Sequence, residues 1–493
     1  MFRGRADDRR DRCLSKEITD YHPPLAESIA MKPFAHQKIS IKHNKATPIV
    51  FDCSDPGTGK TFVRIASFAA RRKAGGGCML VMAPRTLLRS VWVNDISKFA
   101  PHLKVSVANA DNREKAFDED ADVYVTNIDA AKWLAEQPKA FFKKFSELTI
   151  DESTAYKHHT SQRSKAMAKI SSHFEYRCCM TGTPNSNSIT DVWHQVYLLD
   201  GGKRLGNSFY KFRDTVCAPK QVGRSVHAIR WEDKEGAEEA VFGLLSDIVI
   251  RHKFEDCVDI PENHKYTLDF QLTPKQMRAY MEMETTQMLS LKGKTGGILA
   301  VNAAAVATKL LQISSGAVYD GTGGYKVVDT VRYEMILDLV EQRKHSLVFF
   351  LWKHQRDAMI AEAEKRGLTF AVIEGDTTDD ERDEIVKAYQ NGAYRTIFAH
   401  PKSAAHGLTL TKGTATIWPC PTYDLEVFKQ GSKRQHRLGQ TEKTETIILR
   451  APGTIEDHAL NVMLGKAERM DNLLGLFETV APAKKPKRTK EAA

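Results

Sequence analysis

The stretch CSDPGTGKT, residues 53–61, decides how this chain is read. It follows a short apolar run, PIVF, and opens KTFVRIASFAARRKAG, whose apolar spacing and closing glycine predict a helix. Strand, tight loop and helix are the context a phosphate-binding loop requires. The general pattern begins with Gly; Ser54 stands there instead, at a position that needs only to be small. Gly57 and Gly59 let backbone N–H groups turn inward around phosphate oxygens, with Asp55 and Thr58 completing the loop. Lys60 reaches the β- and γ-phosphates, Thr61 offers a hydroxyl to magnesium, and the helix N-terminus adds a favourable dipole. The loop alone does not say what the nucleotide drives.

Bulk properties narrow the class. A chain of 493 residues predicts two or more domains. With 42% hydrophobic and 27% charged residues, its composition is that of a globular protein. No apolar run approaches membrane-spanning length. The start, MFRGRADDRRDRC, lacks the apolar core of a secretory signal, so a cytoplasmic location is expected. The 8 cysteines form no C-x-x-C pair, and buried free thiols are expected. Net charge is +10, compatible with a nucleic-acid partner. The segment APAKKPKRTKEAA carries five basic residues and one acidic, and reads as a disordered tail. Attraction to phosphates and simple solubilisation both remain open for it.

Short, nearly continuous apolar runs alternate with helical patterns. PIVFDCS, CMLVMAP, ADVYVTN, ELTIDES and RCCMTGTP come first; HSLVFFLW, TFAVIEG, YRTIFAHP, ATIWPC and TETIILR follow. Such runs predict strands buried on both faces of a parallel sheet. Two doubly wound α/β units are implied. From Asp191 to about Asp329 strand signals thin out, and the region reads as helical insertions bridging the two sheets.

Three further motifs carry chemistry. LTIDESTAYK ends a strand in adjacent acids: Asp151 to hold magnesium, Glu152 to polarise an attacking water. MTGTPNSNSITDVW ends another in Thr181 and Thr183, placed to link the γ-phosphate to the second unit. QGSKRQHRLGQ carries Arg434 and Arg437, three apart and so on one face of a helix. Two arginines crossing a cleft to a γ-phosphate stabilise transition-state charge. By contrast, His158 and His159 read as a surface loop, and Trp92 and Trp193 as core.

The ordered set DPGTGKT, DEST, TGTP, QGSKRQHRLGQ resembles the superfamily-two helicases, specifically the Snf-type, chromatin-remodeller-like DNA translocases. MKPFAHQ, VMAPRTLLRSVWVNDISKFAP, VIRHKFEDCVDIP, IEGDTTDDERDEIVKAYQNG and GTIEDH resemble further family segments, from about Met31 to His458. Ser153 and Thr154 depart from the family's acid box, as do His400, Pro401, Ala404, Ala405 and Thr409 from its second-lobe motif. DEST-AYK and HPKSAAHGL look most like compact members encoded by phages and prophages, whose location would be the bacterial host cytoplasm. The resemblance implies two RecA-like lobes, with ATP and magnesium as ligands. It implies lobe 1 over 31–262, with a helical insertion at about 191–262, and lobe 2 over 263–478, with one at about 273–328. Residues 1–30 would be an extension and 479–493 a basic tail. It makes Gln37 the adenine-side contact, adding to Asp55, Gly57, Thr58, Gly59, Lys60 and Thr61. Phosphates of a DNA partner would meet Arg85, Thr86, Thr126, Asn127, Thr181, Thr183, Lys402 and Ser403. Three functions stay open: an ATP-driven duplex-DNA translocase, a strand-separating DNA or RNA helicase, and a non-catalytic DNA-binding protein.

Overall fold

A computed structural model describes residues 32–221, 229–291, 296–320, 323–404 and 408–478. The amino-terminal extension, the basic tail and Ala405 lie outside them. All ten apolar runs are strands. The first half contains β1 (Ile49–Asp52), β2 (Cys78–Ala83), β3 (Val105–Ala108), β4 (Val123–Asn127), β5 (Phe145–Asp151) and β6 (Tyr176–Met180). β7 (Cys217–Gln221), β8 (Ile229–Asp233), β9 (Val249–Ile250), β10 (Asn263–Asp269), β11 (Ala317–Tyr319) and β12 (Tyr325–Val327) follow. The second half adds β13 (Ser346–Phe349), β14 (Phe370–Ile373), β15 (Thr396–Ala399), β16 (Ala415–Trp418) and β17 (Thr444–Arg450). One sheet runs β3-β4-β2-β5-β6-β1-β9 and the other β10-β17-β16-β13-β15-β14, every pairing parallel. Every residue of β2 and of β13 is buried, because helices cover both faces.

The order β5-β6-β1 matters most. Parallel strands end on one edge, so the acids after β5, the threonines after β6 and the phosphate loop after β1 sit side by side.

The helical reading of 191–329 is incomplete. Helices are there, Asp191–Asp200, Pro274–Leu291 and Gly296–Ser314 among them, but so are six strands, β7 to β12. β7 and β8 form an antiparallel ribbon, as do β11 and β12. β9 closes the edge of the first sheet and β10 that of the second. CAPKQ and NHKYTLD are mostly exposed, so they lack the apolar run that betrays an inner strand.

Two buried ion clusters fix helices to sheets. Arg64 and Arg71 lie seven apart on α2 (Lys60–Lys73), hence on one face. Both grip Glu147 of β5: Arg64 at 2.7 Å, Arg71 at 2.5 and 2.8 Å. Arg64 also donates to Thr149, and Arg71 to the Asn44 carbonyl of α1 (Ala35–Ala46). In the second unit Arg332 donates to Glu456 at 2.8 and 3.2 Å and to the Pro419 carbonyl. Glu456 belongs to GTIEDH, which gives that motif a structural role. The described cysteines are all free, and only Cys257 among them is not buried.

Removing Glu147 strands two buried guanidinium groups. Glu147→Ala should lower stability by roughly 3–5 kcal/mol, read by urea unfolding. A loss below about 1 kcal/mol would show the cluster to be incidental.

Candidate functional site

The phosphate loop is braced from behind. The Ser54 hydroxyl accepts the His252 N–H at 3.1 Å, and the Ser54 N–H donates to Asp52. This explains the missing first glycine: a small hydroxyl there ties the loop to the chain beyond β9. Asp55 has both carboxylate oxygens engaged, by Arg251 at 2.7 Å and by the Phe254 N–H at 3.0 Å. Thr58 donates its hydroxyl to the Asp55 carbonyl, while its own carbonyl accepts from His36 and Gln37. Gln37 is buried, and its other amide end accepts the Phe34 N–H. Asp55, Thr58 and Gln37 thus hold the loop in shape through the groups the sequence assigned to ATP. Gly57 and Gly59 have φ of 90° and 84°, where a side chain would be strained. Lys60 caps the loop, donating to the carbonyls of Ser54 at 2.7 Å and Asp55 at 3.2 Å. Thr61 follows it on α2, half-buried.

Beyond β5, Asp151 accepts the Trp92 indole N–H at 3.0 Å and the Glu152 N–H at 3.1 Å. Trp92 is core, as expected, and also orients an acid. Glu152 is the one described non-glycine residue with positive φ, 54°. Backbone strain of this kind costs about 1–3 kcal/mol and gathers at functional sites. Its Oε2 is buried with no hydrogen-bond partner. Burial, then the charges of Asp151 and Glu426, push the Glu152 carboxyl up to about 8, against the pull of Lys60 and Arg434. Burial raises Asp151 as well. Ser153 donates to Gln195 at 2.6 Å, and Thr154 reaches the second lobe, donating to Glu426 at 2.8 Å.

Thr181 and Thr183 are buried, with the Thr183 N–H donating to the Thr181 hydroxyl. The Thr181 N–H bonds the Asp52 carbonyl at the base of the loop, and Gly182 packs against Pro56. The pair therefore sits between the acids and the loop within one lobe, bonded on the loop side.

The arginines are not on a helix. The helix Leu425–Ser432 ends one residue short of Lys433. Gly431, pressed against Phe349 and Trp418, brings its end close to the sheet. Arg434 then leaves the helical path, its carbonyl accepting the Leu410 N–H and its Nε donating to the Gln430 carbonyl. Both arginines donate to the Leu408 carbonyl, Arg437 at 2.6 Å and Arg434 at 3.4 Å. Burial and Arg437 lower the Arg434 pKa to about 9, while Glu152 of the first lobe opposes the shift. Arg437 lies within the field of Asp95, whose carboxyl burial pushes up to about 6.

Of the nucleic-acid candidates, Arg85, Thr86 and Asn127 are brought together. With Arg89 and Asn109 they form one wall of a cleft of about 430 Å³ between the lobes. Asp379, Asp380, Arg382 and Asp383 of the helix Asp379–Gln390, with Leu408, form the other. Thr126 is fully buried and donates to the Ala108 carbonyl, so its side chain does not face the cleft. Lys402 and Ser403 lie on a helical turn, Pro401–Ala404, just past the end of β15, and do not line the cleft. His158 is exposed, and His159 stacks on Phe209 at 4.1 Å. Among the described residues no three His, Cys, Asp or Glu side chains gather as a metal site, and no helix is long and apolar enough to cross a membrane.

Sequence reasoning missed Glu147, Asp95, Phe254 and Glu426. Only Glu147, a charge inside an apolar strand, left a signal.

A phosphate loop and paired acids on one parallel sheet, with two arginines from a second, define a two-lobed P-loop nucleotide hydrolase fold. The SNF2-related domain matches residues 39–315 and the helicase conserved C-terminal domain residues 330–439. The first covers more than half of the chain, which belongs to the SNF2-related helicase family. It is 27% identical over 439 residues to protein p41 of Acyrthosiphon pisum secondary endosymbiont phage 1, covering 85% of this chain and 92% of that protein. An uncharacterized ATP-dependent helicase of Mycoplasma pneumoniae is 22% identical over 408 residues, 80% of this chain but 37% of that protein. The chain thus spans nearly the whole phage protein and well under half of the bacterial one. The Sulfolobus solfataricus SWI2/SNF2 ATPase core in complex with dsDNA aligns with a TM-score of 0.42 at 22% identity, over 92% of this chain and 95% of that one.

The raised Glu152 pKa makes a stability prediction for the metal-free protein. Between its ordinary 4.5 and about 8 the folded chain keeps a proton that the unfolded chain releases. Stability therefore falls as pH rises through that window, by roughly 1 kcal/mol per pH unit. In EDTA, the melting temperature of Glu152→Gln should gain on that of the wild type from pH 5 to pH 8. An equal difference at both pH values would refute the assignment.

Proposed function

We propose that this chain hydrolyses ATP between two RecA-like lobes and uses the cycle to move along DNA, with duplex DNA the favoured track. The observation that carries this reading is that the acid box of one lobe meets the other lobe directly, Thr154 donating to Glu426 at 2.8 Å, with buried Arg434 within the electrostatic reach of Glu152. In this reading Lys60 turns from the loop carbonyls to the β- and γ-phosphates of the substrate. Glu152 orients and deprotonates the attacking water, and Arg434 and Arg437 leave the Leu408 carbonyl to meet the charge that develops on the γ-phosphate. Asp151 and Thr61 are the residues that would hold magnesium. Two adjacent carboxyls whose pKa values burial raises, one with an orphaned oxygen, suit a divalent cation. Few protein ligands fit Mg²⁺, which keeps water and phosphate oxygens around it. When bound, it neutralises phosphate charge.

Arg85, Thr86 and Asn127 would grip backbone phosphates from the first lobe, and Lys402 and Ser403 from the second. Such contacts position a strand without reading its sequence. ATP closes the lobes and hydrolysis releases them, so the two grips alternate. The lobe boundaries given above and residence in a bacterial host's cytoplasm complete the proposal.

The test compares ATP turnover with duplex DNA, single-stranded DNA and RNA. Duplex DNA should stimulate most, and Glu152→Gln should reduce stimulated turnover by about 100-fold or more. Stimulation by RNA alone would overturn the DNA-motor reading. Near-wild-type turnover by Glu152→Gln would remove the general base.

A further inference from the structure

From β9 to β10 the chain crosses between lobes through residues 251–262, pausing in one short helix, Phe254–Cys257. Phe254 is fully buried. Its N–H donates to Asp55 at 3.0 Å, and its ring presses on the phosphate loop: a Cβ built on Gly57 would stand 3.0 Å from the ring's Cε2. The same ring receives two side chains from the second lobe. Lys433 Nζ lies 5.0 Å from the ring centroid, and the His436 ring meets it edge-on at 5.7 Å. The connector holds both a second time, since Lys433 pairs with Glu255 at 2.7 Å and His436 Nε2 donates to the Pro261 carbonyl at 3.0 Å. In the sequence KRQHR, each arginine directly follows one of these two anchored residues.

We propose that Phe254 is a positioning residue that couples occupancy of the phosphate loop to the placement of Arg434 and Arg437. The inference rests on the assignment of these arginines to the γ-phosphate. Phosphate entering the loop engages the backbone N–H groups around Gly57 and reshapes that turn. A ring packed this closely, with no exposed surface, has no slack, and close-packed interiors transmit displacement. Among the ring's other neighbours are Lys433 and His436, so the arginine loop moves with it. A residue that only filled space would affect stability without separating nucleotide binding from turnover.

Three variants test this in the full chain: Phe254→Ala, Lys433→Met and Lys433→Arg. The readouts are binding of N-methylanthraniloyl-ATP, DNA-stimulated kcat, and melting temperature. Phe254→Ala and Lys433→Met should bind the nucleotide within about twofold of wild type, yet lose about tenfold or more in kcat. Lys433→Arg, which keeps the ion pair and the cation over the ring, should restore kcat to within about twofold. Adding Arg437→Ala to Lys433→Met should lower kcat far less than it does alone, because both act through one loop. Should Phe254→Ala melt below the assay temperature, Lys433→Met, at the rim of the same contact, decides the question. Wild-type kcat in Lys433→Met, or full additivity with Arg437→Ala, would overturn the relay. Normal turnover by Arg437→Ala alone would instead overturn the arginine assignment beneath it.

Discussion

Glu147 and the two arginines that enclose it set the frame on which the nucleotide site depends. The carboxylate sits four residues before Asp151 on the same strand, and the arginines sit on the helix that opens with Lys60. A buried charge tolerates no loose geometry, because any slip leaves an ion without a partner. The cluster therefore fixes the helix of the phosphate loop against the strand of the acids. Trp92 then orients Asp151, and the Thr181–Thr183 pair closes the gap between the two strand ends.

Much of the fold was legible. Ten strands announced themselves through continuous apolar runs such as CMLVMA, whose every residue is covered. β10 did not, because NHKYTLD lies exposed at a sheet edge and has only one covered neighbour strand. The loop and the acids were legible because each is local, a few residues between a strand and a helix. The arginines were found through their motif, and the helical spacing used to pair them was mistaken: Gly431 and the bonds to Leu408 and Leu410 take the chain out of the helix. Gln37 and Asp55 show a second limit. A motif gives the identity of a polar group but not which neighbour has already engaged it.

What lay wholly out of reach was long-range. Phe254 touches Gly57 and Lys433, nearly two hundred residues away on either side. Thr154 meets Glu426 across the lobes, at a position where the chain departs from its family's acid box. No local pattern encodes such pairs; they exist only once both sheets are placed.

The connector between β9 and β10 also sets mechanical limits. It is the edge strand of one sheet at its start and of the other at its finish. Fully stretched, its twelve residues would reach about 40 Å, but its first part is moored by Arg251, His252 and Phe254 to the phosphate loop. After Cys257 it is held from the second lobe instead, where the Pro261 carbonyl meets His436. A connector moored on both sides in this way favours swivelling of the sheets about a pivot beside the nucleotide, where a small angle at the axle becomes a long stroke at the rim.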